Sequence, residues 1–216
     1  MKRLIVSACF FPGVVLLLLA GCAGGPATPK PGDRVEIPTT VVTRLDAGRT
    51  GFEIVDQLPL DANIQAFFQR GVDAMAKGDY DTAVEAFTTV TRKVPKLSAA
   101  HVNLAIAYTR SDRDGMAEPI LHEALRLVPG HPLASHEYGL LLRRAGRFGE
   151  AREIYEEALQ HYPEYYPLRQ NLGVLCDLYL DDADCAEEQL ALYLKAQPDD
   201  EQVKLWLAEL QGRAGR

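Results

Sequence analysis

The run Gly71-Val72-Asp73-Ala74-Met75-Ala76-Lys77-Gly78-Asp79-Tyr80-Asp81-Thr82-Ala83-Val84-Glu85-Ala86-Phe87 decides the reading of this chain, because its landmarks return every 34 residues. Gly71 is answered by Ala105, Gly139 and Gly173; Ala83 by Ala117 and Ala151; Phe87 by Leu121 and Tyr155. Pro95, Pro129 and Pro163 close the units. Each slot has a physical reason. The small residue in one helix and the Ala in the next let antiparallel helices approach closely. The aromatic or Leu fills the space between them. The Pro ends the second helix, since it lacks an N–H and excludes helical geometry from the residue before it.

Four residue classes sharing one period resemble the tetratricopeptide repeat, a helix-turn-helix unit that stacks into a solenoid. The resemblance covers Ile64 to Asp200. It implies an all-α fold of four repeats, 64–97, 98–131, 132–165 and 166–200, with a capping helix at 201–213 that carries Leu205, Trp206, Leu207 and Leu210. Asp61 is the expected N-cap of the first helix, Gly78-Asp79 and Gly146-Arg147 are turns, and the whole domain is expected over 61–213. Phe67, His101, Ser135 and Arg169 stand where the family usually has Trp. The fourth unit holds one extra residue, since Pro198 follows Pro163 by 35; the surplus is expected around Leu180 to Asp184, leaving the register beyond it open by one.

Working outward, residues 1–21 read as a leader. Lys2 and Arg3 precede the apolar stretch Leu4 to Leu19, and Leu19-Ala20-Gly21-Cys22 puts small residues before a cysteine. That motif resembles the lipobox of bacterial lipoproteins. It implies cleavage ahead of Cys22, a diacylglyceryl thioether on its sulfur, and a palmitate-type acyl chain on its amine, which together hold a protein on a membrane. No Asp follows Cys22, and by the same resemblance this implies the outer membrane, facing the periplasm. Residues 22–60 read as a tether. Gly24 to Gly32 holds three prolines and, counting its ends, three glycines, and cannot bury a core; Val35 to Val42 has room for a short strand, and Gly51 to Leu60 is apolar enough to lie on the first helix. As coil this stretch spans about 35 Å.

Acidic residues number 30 against 23 basic ones, a net charge of −7 that becomes −9 when Lys2 and Arg3 leave. Nucleic acid, which needs a basic footprint, is excluded as a partner. The mature domain keeps Cys176 and Cys185, late in one helix and early in the next at similar distances from the turn. A disulfide is the favoured reading in an oxidising compartment. Two core thiols in small-residue slots are the alternative, and a metal site comes third because Cys-x8-Cys without a nearby His lacks zinc spacing. His101, His122, His131, His136 and His161 share no ligand spacing. No nucleophile motif, phosphate loop or paired-histidine metal motif occurs, so no cofactor, no metal and no enzymatic activity are expected.

What remains is surface. In tetratricopeptide proteins the first helix of each pair lines the concave groove. Those slots fall here on Gln65, Phe68, Val72, Met75, Val102, Ile106, Thr109, Arg110, His136, Leu140, Arg143, Arg144, Gln170, Val174 and Asp177. An apolar floor beside Arg110, Arg143 and Arg144, expected on one side of it, suits a peptide carrying a carboxylate. The expected function is a lipid-anchored interaction scaffold or assembly factor of the bacterial envelope. The resemblance extends to pilotin-like lipoproteins for secretin or type IV pilus assembly, and to accessory proteins of TonB-ExbB-ExbD-type systems.

Overall fold

The computed structural model describes residues 3–8, 16–20, 40–45, 51–56, 58 and 60–214. Cys22 and most of the stretch read as tether lie outside the described residues, as does part of the leader. Contacts divide the chain into two units, 1–128 and 129–216.

The first unit opens with four strands: β1 (Arg3–Ala8), β2 (Leu16–Ala20), β3 (Thr40–Arg44) and β4 (Phe52–Asp56). They form an antiparallel sheet in the order β2-β1-β4-β3. Two helix pairs follow: α1 (Ala62–Ala76) with α2 (Tyr80–Lys93), and α3 (Ser98–Arg110) with α4 (Asp114–Leu127). The strands β3 and β4 lie inside the stretch expected as tether, and the reason is burial. Phe52, Ile54 and Val55 are buried, and Asp56 is 2% exposed. The Asp56 carboxylate accepts from Ser98 Oγ at 2.7 and 2.9 Å and from Ala99 N at 2.8 Å, capping α3 from outside its own sequence neighbourhood. The packed part of the unit therefore begins before Asp61. Asp61 itself caps α1, accepting from Ile64 N at 2.8 Å.

The second unit holds α5 (Pro132–Arg144) with α6 (Phe148–His161), α7 (Tyr166–Tyr179) with α8 (Ala183–Ala196), and α9 (Glu201–Ala214) at the end. The periodic slots meet as their chemistry requires. A Cβ at Gly71 would come within 2.7 Å of the Phe87 ring, and one at Gly139 would overlap the Tyr155 ring. Each aromatic thus presses its ring against a helix backbone that only glycine leaves bare. Filling such a site with a larger residue costs about 1–3 kcal/mol. Phe87 and Tyr155 are fully buried.

In the fourth repeat the partner of Gly173 is Leu190, one residue later than the period, and Ala186 takes the Ala slot. The extra residue does not lengthen the turn between helices, contrary to expectation. Three residues separate α7 from α8, as they separate α1 from α2, α3 from α4 and α5 from α6, and the middle one always has positive φ: Gly78, Asp112, Gly146 and Asp181. The surplus sits instead in the last turn of α7, which is wound wide. Leu180 N–H reaches Leu175 O, five residues back, and Asp182 N–H reaches Cys176 O, six back. A single wide turn of this kind is how a helix absorbs one inserted residue.

Among the described residues no helix is long and apolar enough to cross a membrane.

Candidate functional site

The groove slots behave differently in the two units. In the first, Phe68, Val72, Val102 and Ile106 are buried, at 0, 5, 1 and 2% exposure. They are core, not groove floor, which corrects the expectation for these four. Phe68 meets Phe87 edge-to-face at 5.4 Å. Helix α3 is buried at every position from Ser98 to Ala107, with β4 packed on it, while β2 packs on α1. Two further buried polar side chains on α3 find partners one turn back: His101 Nδ1 lies 3.0 Å from Leu97 O, and Asn103 Nδ2 donates to Ala99 O at 2.7 Å. Gln65, Met75 and Thr109 are half-buried, and Arg110 is exposed at the end of α3.

In the second unit the slots stay accessible. His136, Leu140 and Arg143 on α5 and Gln170 and Val174 on α7 are half-buried, and Arg144 is exposed. Arg143 lies over the Tyr179 ring, 5.8 Å from its centre, a cation–π arrangement. Phe148 supports the same ring at 4.7 Å. Tyr179 is 44% exposed, an open aromatic face beneath the guanidinium, and its chain neighbour Leu178 is 59% exposed. No carboxylate pairs with Arg143 among the described residues, so its charge is available.

His136, on the same helix as Arg143, is held in one state. Asn171 Nδ2 lies 3.2 Å from its Nε2 and 3.1 Å from Pro167 O; an amide nitrogen only donates, so Nε2 accepts and the ring proton is on Nδ1. Burial lowers the imidazole pKa below the usual 6.5, which keeps the ring neutral. Its Nδ1 is shut off from solvent and has no protein partner. The Tyr155 hydroxyl, behind Gly139, is also without a partner, and burial pushes its pKa up.

Asp177 is the other correction. Its side chain is 5% exposed and fully engaged: Trp206 Nε1 donates to it at 2.6 Å and Arg213 Nη2 at 2.6 Å, both from α9. It fastens the end of the repeats to α9 rather than facing a partner. A shallow hollow of about 480 Å³ beside it is lined by Leu178, Trp206, Glu209, Gly212 and Arg213.

Cys176 and Cys185 are joined, with Cα atoms 5.9 Å apart. The bridge spans the wide turn of α7. Asp182 stands between them, accepting from Cys185 N at 3.0 Å and from Arg152 Nη1 of α6 at 2.8 Å; the Cys185 N–H first, then Arg152, hold its pKa below the usual carboxylate value. The sulfurs and this carboxylate lie within 4.8 Å of one another, but sulfurs bonded to each other are not the thiolates that ligate a metal.

Three family descriptions, each of the tetratricopeptide repeat, match residues 68–115, 96–164 and 142–210, so that together they run without a break from 68 to 210. The chain is a tetratricopeptide-repeat protein. A stretch of 104 residues, 48% of the chain, is 30% identical to a probable UDP-N-acetylglucosamine–peptide N-acetylglucosaminyltransferase, SPINDLY, of Arabidopsis thaliana. It spans only 11% of that relative's length. The fold is similar to MamA 41-end from Desulfovibrio magneticus RS-1, with a TM-score of 0.63 at 15% identity over 73% of this chain and 88% of the other. It is also similar to YrrB, described as a tetratricopeptide protein with an unusual peptide-binding site, with a TM-score of 0.56 at 21% identity over 68% and 74%.

Within the tetratricopeptide frame, residues missed from sequence are those that work across long separations. Tyr179 is not a groove slot by period; the wide turn of α7 brings it under Arg143. Asn171, Trp206 and Arg213 lie 35, 29 and 36 residues from the groups they bind. Arg169, in the usual Trp place, donates to Pro163 O at 3.0 and 3.2 Å and to Gln189 Oε1 at 3.0 Å, so hydrogen bonds tie down that corner instead of ring packing.

Proposed function

We propose that this tetratricopeptide protein is a lipid-anchored interaction scaffold of the bacterial envelope, whose second unit docks a protein segment bearing a carboxylate. The observation that carries the docking face is Arg143: an unpaired guanidinium laid on an exposed tyrosine. A carboxylate there meets a planar fork already held in place, and an apolar neighbour on the ligand meets the exposed Tyr179 ring. Structural likeness to YrrB, described by its peptide-binding site, supports peptides as the ligand class. The anchor rests on the sequence Leu19-Ala20-Gly21-Cys22 and on the apolar stretch ahead of it.

Two variants separate the parts of this reading. Cys22→Ala is expected to leave the repeats folded and move the protein out of the membrane fraction, detected by fractionation; retention after clean removal of the leader contradicts the anchor. Arg143→Glu is expected to weaken capture of crosslinked partners from intact envelopes by roughly tenfold, the scale of one charge-assisted contact. Unchanged capture places binding elsewhere.

A further inference from the structure

We infer that the edge of β4 that faces β1 is a second docking site, one that takes an extended, apolar, non-acidic strand from a partner protein. This rests on the reading that residues 1–21 leave ahead of Cys22. Strands β3 and β4 are built differently, in keeping with their places in the order β2-β1-β4-β3. Strand β3 has the composition of an edge: Val41 is 41% exposed, and Thr43 and Arg44 are exposed too. Strand β4 has the composition of a centre. With β1 in place four of its five residues are buried; Phe52, Ile54 and Val55 put apolar side chains on both sides of the sheet, and it carries no lysine, proline or bulge. Proteins guard a true edge with such features, because a row of unpaired N–H and C=O groups recruits another strand. Apolar residues on both faces are typical of a strand that has neighbours on both sides.

In the intact chain the second neighbour is β1, antiparallel, with Leu4 opposite Asp56, Val6 opposite Ile54 and Ala8 opposite Phe52. Removal of the leader takes away β1 and β2 together. Strand β4 stays in place, because it pairs with β3 and because Asp56 is bonded to Ser98 and Ala99 of α3. Its other edge then has no partner among the described residues, and α1 loses the strand that packs on it. The occupant is defined by what the leader places there: Arg3-Leu4-Ile5-Val6-Ser7-Ala8, extended, apolar and without an acidic residue. A net charge of −9 in the processed chain disfavours acidic strands further. Main-chain hydrogen bonds supply affinity, and alternate side chains supply selectivity.

The test uses the exported protein extracted in mild detergent, its intact mass recorded first, and a capped synthetic peptide of the sequence Arg3 to Ala8 as the probe. Hydrogen exchange is followed at 52–56. Saturating peptide is expected to slow exchange there by roughly tenfold or more without changing α6. Two N-methylated peptides separate strand pairing from hydrophobic adhesion: methyls on the alternate amides that face β4 abolish the protection, while methyls on the other set preserve it. No slowing, or equal protection by both methylated peptides, overturns the proposal. Slow exchange before any peptide is added, lost on dilution, overturns it in favour of a second copy at the edge. A mass that still includes residues 1–21 overturns the processing reading instead, and the edge with it, since β1 then keeps its place.

Discussion

Helices α3 and α7 occupy equivalent places in their repeats, 68 residues apart at Ala105 and Gly173, yet they meet their surroundings differently. The groove slots of α3, Val102 and Ile106, are buried, and the helix start is capped by Asp56 from a strand. The matching slots of α7, Gln170 and Val174, are half-open, and the helix start has no side-chain cap. One repeat pattern therefore yields a core helix in one unit and a presenting helix in the other. The difference teaches that the period fixes which residues touch within a pair, while elements outside the period decide which face stays available.

The largest effect expected from this comparison comes from placing a charge at one slot in each unit. Ile106→Asp buries an unpaired carboxylate and is expected to destabilise the first unit by about 4 kcal/mol or more, whereas Leu140→Asp, 34 residues on, costs about 1 kcal/mol because that position reaches water. Urea unfolding followed by hydrogen exchange in α3 and by the fluorescence of Trp206 in the second unit reads the two separately. Equal costs at both slots break the comparison.

Next in size is the bridge. Replacing Cys176 and Cys185 with Ala removes a short closed loop and is expected to lower the stability of the second unit by about 2–3 kcal/mol in the chain-entropy picture. Exchange at Leu180 and Asp182 in the wide turn should rise, while α1 to α4 keep their protection. Alkylation of two thiols in native exported protein contradicts the bridge itself.

Asp56→Ala sharpens the contrast from the other side. It strips the cap of α3 and leaves the Ser98 hydroxyl and Ala99 N–H without their acceptor, an expected loss of about 2 kcal/mol. Faster exchange is expected in β4 and the first turn of α3, and none in α7.

The fold of the repeats was legible because glycine, alanine, an aromatic and proline each have one job at a fixed spacing, and Gly71 against Phe87 or Gly139 against Tyr155 are contacts the period names outright. The register of the last repeat was not. One inserted residue can enter a turn or a helix, and what decides is the i to i−5 bond of Leu180, which no residue type announces. The candidate site was legible only in part. Arg143 was found as a slot, but its platform Tyr179 arrives through that same wide turn. Asp177 was misassigned because its partners, Trp206 and Arg213, come from a separate helix. Phe68, Val72, Val102 and Ile106 are apolar in a way that suits a groove floor and a core equally, and composition does not distinguish the two.

A smaller effect follows from His136. Its pKa is lowered by burial, so the unfolded chain takes up a proton near the ordinary value of 6.5 while the native state does not until lower pH. The stability tied to the neutral ring is complete above 6.5 and is lost as pH falls from there through the lowered native value. His136→Gln, which retains a donor and acceptor without titrating, should flatten the stability profile of the second unit between pH 7 and 5. An unchanged profile contradicts the neutral, buried ring.

The central claim is that partners meet the open face of the second unit, and photocrosslinking in living cells tests it most directly. A photoreactive residue is placed in turn at Leu178, at Tyr179, and at the exposed outer position Glu157 of α6. Discrete protein adducts are expected from 178 and 179, lost when Arg143→Glu is added to the Leu178 probe, and absent from 157. Adducts from 157 with none from 178 or 179, or adducts at 178 that ignore Arg143→Glu, contradict the account.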